Sequence, residues 1–349
     1  MGQRADPTPP EESTHLRIRP TETPLTAAAV EQGFRRLHTI ETATSWRDRL
    51  VGGQTAPTTE WRLQQPTDAR DLGIYVGVTG AATETLRGAL RTACPNEYEL
   101  TPATPPPLPT KTAAEDATGD PAAEPVVAVE WVGDAERRDD WQTRLTPLAS
   151  FTDAEEARLP LAAVVETMAA TDAAVAYQVV CQPFRDVRGD VRARKRRLEA
   201  GRDTPASRVV ADLFGPVEES ASATTKTPAD AVADRQAALD ATDPQHAFVV
   251  NVRCLIRGAD ARAVADRLAG ALTDLSGPYY RIDAELETDS PERVADAIRS
   301  RTVHPPAYDT LTAKLPWTRN RSRGIVADAA STPGFALVDG TALTAAGSR

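Results

Sequence analysis

The sequence is poor in cysteine, histidine and lysine, and it contains no long apolar run. Its three cysteines, Cys94, Cys181 and Cys254, stand apart without a CxxC pair or a histidine at ligand spacing, which predicts reduced, buried thiols and no metal site. No stretch of about 18 uncharged apolar residues occurs, so we expect no membrane-spanning helix. Residues 1–14 lack the apolar core of a signal peptide, and we expect a cytoplasmic protein that reaches a membrane only through partners.

Known catalytic motifs are absent as well. The chain has no GxxxxGK[ST] phosphate-binding loop, no GxSxG and no HExxH. The run Gly77–Gly80 places two glycines after a strand but includes no lysine, which is typical of a turn into a helix. We therefore expect no catalytic residue and no cofactor. A hydrolase or nuclease would need several carboxylates that folding brings into one cleft, and a sequence does not show this.

Acidic residues outnumber basic ones, 50 to 40, and the net charge is −10. Only four of the basic residues are lysines. This composition indicates a salt-adapted, haloarchaeal type of cytoplasm, because acidic surfaces help to keep proteins soluble at high salt. The negative charge argues against non-specific binding of nucleic acid over the whole surface, although a local basic patch is compatible with it.

A strand–helix–strand pattern occurs twice, at Gly73–Leu100 and at Ala247–Leu286. Each helix carries apolar residues every three to four positions, and each copy ends with a proline before an aromatic strand. With the strands and helices that precede them, both halves have the order βαββαβ. The sequence therefore predicts an α+β protein of two tandem ferredoxin-like modules, the second with a helical insertion. Ile325–Ala327 and Phe335–Val338 predict two more strands, a short C-terminal β extension.

Composition divides the chain further. The stretch between the two modules is rich in Pro, Ala, Thr and acidic residues, which predicts an extended linker. The predicted divisions are a disordered N-terminus at 1–14, a first module at 15–101, a linker at 102–125, a second module at 126–300 with an insertion at 184–246, and a C-terminal connector at 301–349.

Two basic clusters are candidate contacts for nucleic acid or a protein partner. The first lies on a predicted helix of the insertion and consists of Arg192, Arg194, Lys195, Arg196 and Arg197. The second consists of Arg319, Arg321 and Arg323. Guanidinium groups bind phosphates through paired hydrogen bonds. The alternative is that the first cluster pairs with its neighbours Asp186, Asp190, Glu199 and Asp203, and the second with local acids and carbonyls.

The C-terminal segment contains a distinctive motif that resembles part of a known protein family. Its motif comprises His304, Pro305, Pro306, Trp317, Asn320 and Gly324. Together with WVGDAERRDDW at Trp131–Trp141 and the strand at Tyr177–Pro183, it resembles the region before the motor domain of conjugation-type DNA-transfer ATPases of halophilic archaea. Those proteins are similar to type IV secretion and HerA/FtsK-like motors. The resemblance covers most of the chain from Leu16 onward.

The resemblance implies a non-catalytic scaffold or docking portion whose motor lies downstream or in a separate chain, because the P-loop of the family is missing here. It implies as partners the motor ATPase domain or other secretion subunits, with DNA as a further candidate and oligomerisation through the motor. The alternative is a free-standing plasmid- or virus-encoded module that binds nucleic acid or protein without any motor.

Overall fold

The computed structural model describes residues 15–40, 57–65, 72–79, 83–110, 124–153, 158–201, 229–309 and 320–345. In the first half the elements are β1 (His15–Arg19), α1 (Ala27–His38), β2 (Thr58–Gln65), β3 (Gly73–Thr79), α2 (Thr83–Ala93) and β4 (Glu99–Ala103). The two helices form where apolar residues recur every three to four positions, as at Val30, Phe34 and Leu37 of α1. Their buried stripes face the sheet, and α1 and α2 approach closely because Gly33 has no side chain against Ala93.

The second half has the same order with insertions. Its elements are β5 (Val126–Ala135), α3 (Ala149–Thr152), α4 (Leu161–Ala169), β6 (Ala174–Pro183), α5 (Arg188–Glu199), α6 (Ala229–Asp240), β7 (Ala247–Arg257), α7 (Ala261–Ala269), β8 (Tyr280–Glu287) and α8 (Pro291–Arg299). The C-terminal elements are β9 (Arg321–Ser322), β10 (Ile325–Asp328), α9 (Pro333–Ala336) and α10 (Gly340–Ala345). Long apolar runs become the central strands β6 and β7, which are buried along most of their length.

The described strands form one ten-stranded antiparallel sheet in a mixed α/β fold. Its main order is β4-β1-β3-β2-β6-β7-β5-β8, with β9 beside β5 and β10 beside β7. The first half contributes β4-β1-β3-β2, and the second half, read from the other edge, contributes β8-β5-β7-β6. The two halves therefore arrange their four strands in the same permutation, and they meet where β2 pairs with β6.

One face of the sheet is apolar and is covered by helices. A row of directly opposite residues crosses the strands on this face: Leu16, Val76, Trp61, Val179, Val252 and Trp131. Trp61 stacks on Phe34 of α1 with ring centroids 5.8 Å apart, and Trp131 meets Tyr177 edge-on at 5.7 Å. Because this row is continuous from one half to the other, the two halves share a single hydrophobic core.

The C-terminal segment completes this core. Residues of β10 pair with the start of β7, and Ile325 and Phe335 are fully buried. The Tyr177 hydroxyl donates a hydrogen bond of 2.8 Å to the carbonyl of Phe335. The strand predicted at Phe335–Val338 is wrong, because the backbone turns into α9 one residue after Thr332 and no sheet partner lies beside it among the described residues. The apolar character of this run reflects burial and not strand pairing.

The described part of the predicted linker lies against the body of the protein. β4 extends to Ala103, and the carbonyl of Pro107 accepts a hydrogen bond of 2.5 Å from Gln64. Leu108 packs against a small cluster that includes Leu255 and Ile298. Residues 111–123 of this stretch lie outside the described residues.

Candidate interaction sites

The second face of the sheet carries a row of polar side chains. In register across seven neighbouring strands lie Arg17, Tyr75, Arg62, Gln178, Arg253, Glu130 and Glu285. Directly opposite residues share a face of the sheet, so these side chains are neighbours. α8 packs over part of this polar row, with Val294 and Ile298 against Ala128 and Leu255. Much of the row is thereby removed from water.

Glu60 is the carboxylate at the junction of the two halves, and it is fully buried. Its Oε1 accepts hydrogen bonds from Arg62 at 2.6 Å and from Gln178 of the second half at 2.7 Å. Its Oε2 lies 2.5 Å from Nε of Arg301 and 3.0 Å from Nε2 of His15. Burial alone raises the pKa of this carboxyl, but the His15 hydrogen bond and the charges of Arg62 and Arg301 hold it well below its ordinary range. Glu60 is therefore ionised at neutral pH.

Arg301 reaches the first half from the end of α8. Its guanidinium also donates to Thr79 Oγ1 at 3.1 Å and lies 3.2 Å from His15 Nε2. Its φ angle of 51° falls in the left-handed region, which a side chain with a Cβ disfavours. Backbone strain of this kind persists only where the surroundings impose it. The contacts with Glu60, Thr79 and His15 supply that constraint.

Glu130 on β5 is a buried carboxylate of the second half, and it is 3% exposed. Arg293 Nη2 lies 2.7 Å and Arg323 Nε 3.1 Å from its Oε2, while Arg253 Nε lies 3.6 Å from Oε1. Burial lowers the pKa of Arg253 to about 10 although Glu130 acts to raise it. Arg253 also donates to the carbonyl of Ala297 near the end of α8 and to the carbonyl of Thr302 in the segment that follows the helix. It thereby ties the end of α8 and the following segment to β7.

The C-terminal motif is docked on β7 through one buried amide. Asn251 Oδ1 accepts from the backbone N–H of His304 at 2.9 Å, and its Nδ2 donates to the carbonyl of Arg323 at 2.7 Å. Pro306 and Gly324 are buried and Pro305 is exposed. Burial, followed by the charge of Arg253, lowers the pKa of His304.

The other members of that motif lie at the periphery or outside the described residues. Asn320 Nδ2 donates to the carbonyl of Glu136 at 3.4 Å. Trp317 falls outside the described residues, as does Arg319 of the second basic cluster.

The second basic cluster is paired where the structure describes it. Arg321 lies 3.4 Å from Asp283 and 3.3 Å from Glu285, and Arg323 pairs with Glu130. These contacts match the alternative of internal pairing for both residues. Arg323 remains 42% exposed at its side chain, so part of its guanidinium still faces solvent.

The first basic cluster lies on α5, and its members have different environments. Arg194 is 1% exposed and donates to the buried Asp140 at 2.9 Å, so it is a structural ion pair and its prediction as a surface contact is corrected. Arg197 pairs with Asp139 at 2.6 Å, and Lys195 pairs with Asp240 of α6. The partners found for these three residues, Asp140, Asp139 and Asp240, lie on other elements of the fold. Asp203, one of the expected neighbours, lies outside the described residues.

Arg192 and Arg196 are the exposed members of that cluster. Arg192 Nε donates to the carbonyl of Arg188 at 3.3 Å, and neither residue forms an ion pair with a carboxylate among the described residues. They are four residues apart on one helix and hence on the same face, about 6 Å from each other along its axis. The five cations that the sequence presents as one basic cluster therefore differ in environment. One is buried, two are paired at the surface of the helix, and two face solvent.

The three thiols are buried, as the sequence predicts. Burial raises the pKa of Cys94 to about 12 and the pKa values of Cys181 and Cys254 further still, so none is a thiolate at neutral pH. Within the described stretches no group of three or more His, Cys, Asp or Glu side chains is placed to hold a metal ion. A cavity of about 410 Å³ lies between the end of β1 and α10, with Arg17, Leu72 and Leu343 among its lining residues.

Sequence reasoning missed the two buried glutamates, their arginine partners and Asn251. A signal was present, because Glu60 and Arg62 in β2, and Asn251 and Arg253 in β7, interrupt apolar strands at alternate positions. Two polar or charged residues at i and i+2 in a buried strand indicate a polar face that another element covers.

No helix among the described residues has the length and apolar content that crossing a bilayer requires. Neither a family model nor a curated protein matches this sequence.

Proposed function

We propose that this chain is the non-catalytic docking portion of a conjugation-type DNA-transfer ATPase, and that its two halves are tandem ferredoxin-like modules. The shared strand permutation supports the second part, since β4-β1-β3-β2 is the order that a split βαβ arrangement produces. The resemblance of the C-terminal motif supports the first. The charged groups of the sheet hold one another in internal pairs, which suits a rigid platform better than a reactive site.

The observation that carries the proposal is the edge-to-edge pairing of β2 with β6. It turns two small sheets into one platform with a common core, on which α8 and the C-terminal segment are fixed by Glu60, Glu130 and Asn251. Such a platform holds its outer strands and surface helices at fixed separations. A docking subunit requires this geometry, because a partner must meet several contacts at once.

The test uses the full chain with the P-loop DNA translocase of the same organism. The two proteins are mixed at the native salt concentration, and the mass of the complex and the rate of DNA-stimulated ATP hydrolysis are measured. We expect a stoichiometric complex, a changed motor rate and no hydrolysis by the chain alone. Absence of a complex, or ATP turnover by the purified chain, would contradict the proposal.

The second candidate is a free-standing module that contacts nucleic acid. Arg192 and Arg196 favour it, since they are exposed cations without an ion pair among the described residues. Affinity for a DNA duplex should fall in the double variant Arg192→Ala/Arg196→Ala, and the slope of log affinity against log salt should decrease by about two. The triple variant Arg319→Ala/Arg321→Ala/Arg323→Ala is the matched comparison. Unchanged, salt-insensitive binding in both variants would remove the nucleic-acid role.

A further inference from the structure

The two outer strands of the sheet, β4 and β8, occupy equivalent positions in the two halves, but they differ in length and in the backbone groups available at their outer edges. β4 has five residues, including Pro102, which lacks a backbone donor. β8 has eight residues without proline or glycine, and among the described residues it pairs only with β5. An edge strand with unpaired backbone groups is a template for another strand.

The direction of the backbone groups of β8 follows from two hydrogen bonds at its start. The N–H of Ile282 donates to Ser276 Oγ at 2.9 Å, and the carbonyl of Tyr280 accepts from Gly277 at 2.8 Å. Both groups therefore point away from β5. In an antiparallel ladder alternate residues point the same way, so the N–H and C=O groups of Ala284 and Leu286 also face outward.

The outward N–H and C=O groups of Ala284 and Leu286 have no hydrogen-bond partner among the described residues. Ala284 and Leu286 are only partly buried, and their apolar side chains lie at the margin of the main core. We propose that the outer edge of β8 is a strand-addition site that binds an extended segment of a partner protein, with basic and apolar residues at alternate positions. The inference rests on the proposed docking function, for which it names the surface and the partner chemistry.

The charges of β8 determine which strand fits. Asp283, Glu285 and Glu287 point to the polar side of the sheet, as does Arg281, so β8 itself presents three carboxylates and one cation there. Arg321 is shared between Asp283 and Glu285, Arg293 lies beside Glu287, and Arg281 lies beside Asp134 of β5. An added strand would place alternate side chains beside these carboxylates, where lysine or arginine is favoured. In a second copy of β8 added antiparallel about Ala284, Asp283 would lie opposite Glu285 in two of the four polar pairs, which is unfavourable, while Arg281 would lie opposite Glu287 in the other two. On the other side of the sheet the added strand would cover Ala284 and Leu286, which favours apolar residues.

The experiment uses the full chain and a synthetic seven-residue peptide of alternating lysine and valine. Binding is measured at one fixed salt concentration, and the exchange of backbone amides with deuterium is followed residue by residue. We expect the amides of Ala284 and Leu286 to become protected. A peptide of the same sequence with methylated backbone nitrogens keeps the charge but cannot pair, so it should not bind.

Variants separate backbone pairing from charge. Ala284→Pro removes an outward donor that β5 does not use, and it should weaken binding about tenfold or more. Asp283→Asn/Glu285→Gln should weaken it less. The control Glu97→Gln/Asp274→Asn changes the net charge equally at exposed sites and should leave binding unchanged.

Three results would overturn the inference: no binding of the lysine–valine peptide, equal binding of the methylated peptide, or protection away from β8. The exchange measurement on the unmodified chain keeps this conclusion independent of how well Ala284→Pro folds. If the peptide binds at β8 while no complex forms with the motor, the edge site stands and only the proposed function fails. If the motor complex forms and the peptide does not bind, the reverse holds.

Discussion

Glu60 and Glu130 are both buried carboxylates on the polar face of the sheet, but their positions and surroundings differ: Glu60 lies on β2 at the junction of the two halves, and Glu130 lies on β5 beside the outer strand β8. Glu60 is enclosed, and the side chains of its partners Arg62 and Arg301 are 10% and 16% exposed. Glu130 is buried too, but Arg293 and Arg323 extend from it into solvent, at 38% and 42% exposure. One carboxylate joins the two halves, and the other fixes α8 and the C-terminal segment at the surface. The same ion-pair chemistry should therefore contribute very differently to stability.

The largest effect is expected from Glu60→Gln. The substitution keeps the shape of the side chain but leaves Arg62 and Arg301 without a counter-charge in a buried site, which costs about 3–5 kcal/mol. Glu130→Gln should cost about 1–3 kcal/mol, because two of its three cationic partners, Arg293 and Arg323, can turn toward water and only Arg253 stays buried. Chemical denaturation measures both free energies of unfolding. Equal losses would show that the difference in enclosure has no energetic consequence.

Arg301→Gly tests whether strain and ion pairing oppose each other at the junction. Glycine adopts the left-handed conformation without cost, but the charged hydrogen bonds to Glu60 are lost, and we expect a net destabilisation of about 1–2 kcal/mol. In the Glu60→Gln background the same substitution should be neutral or stabilising, because the cation then has no counter-charge. A double-mutant cycle measures this reversal. Additive losses would contradict the assigned pairing.

The pH dependence of stability should report the ionisation of Glu60. The pKa of Glu60 is lower in the folded protein than its ordinary value of 4.5. Its contribution to stability is therefore present above the unfolded pKa and is lost as the pH falls from there toward the folded pKa. We expect the stability difference between the unmodified chain and Glu60→Gln to be constant from pH 8 to about 5 and to shrink below that. A difference independent of pH down to about 3 would argue against an ionised Glu60.

The smallest effect on the free energy of unfolding is expected from a substitution at Arg323, the most exposed of the cations around Glu130. Arg323→Ala removes one of three cations around Glu130, and its side chain is partly exposed, so the loss should stay below about 1 kcal/mol. Thermal unfolding compared with Arg293→Ala checks this. A loss as large as that of Glu60→Gln would mean that the surface pair is as important as the enclosed one.

The spacing of apolar residues predicted helices and strands correctly where one side of a single element is buried. Both predicted strand–helix–strand patterns are confirmed, since β3, α2 and β4 follow one another in the first half and β7, α7 and β8 in the second. The apolar pattern did not determine the secondary structure at Phe335–Val338, because a short apolar run is compatible with either strand or helix. It was also insufficient for Arg194, because charge along a helix does not show which side chain faces a buried acid.

The order of elements and the alternation of apolar residues are properties of neighbouring positions, and the sequence alone determined them. Tertiary structure decided the pairing of β2 with β6 and the contact of Glu60 with Arg301, which lie 241 positions apart. The residues that flank Glu60 or Arg301 in the sequence do not indicate the distant partner, because an ion pair of this kind forms only after the strands and α8 have packed. The physical reason is that periodicity reports which face of an element is buried, whereas the identity of what buries it depends on the whole fold.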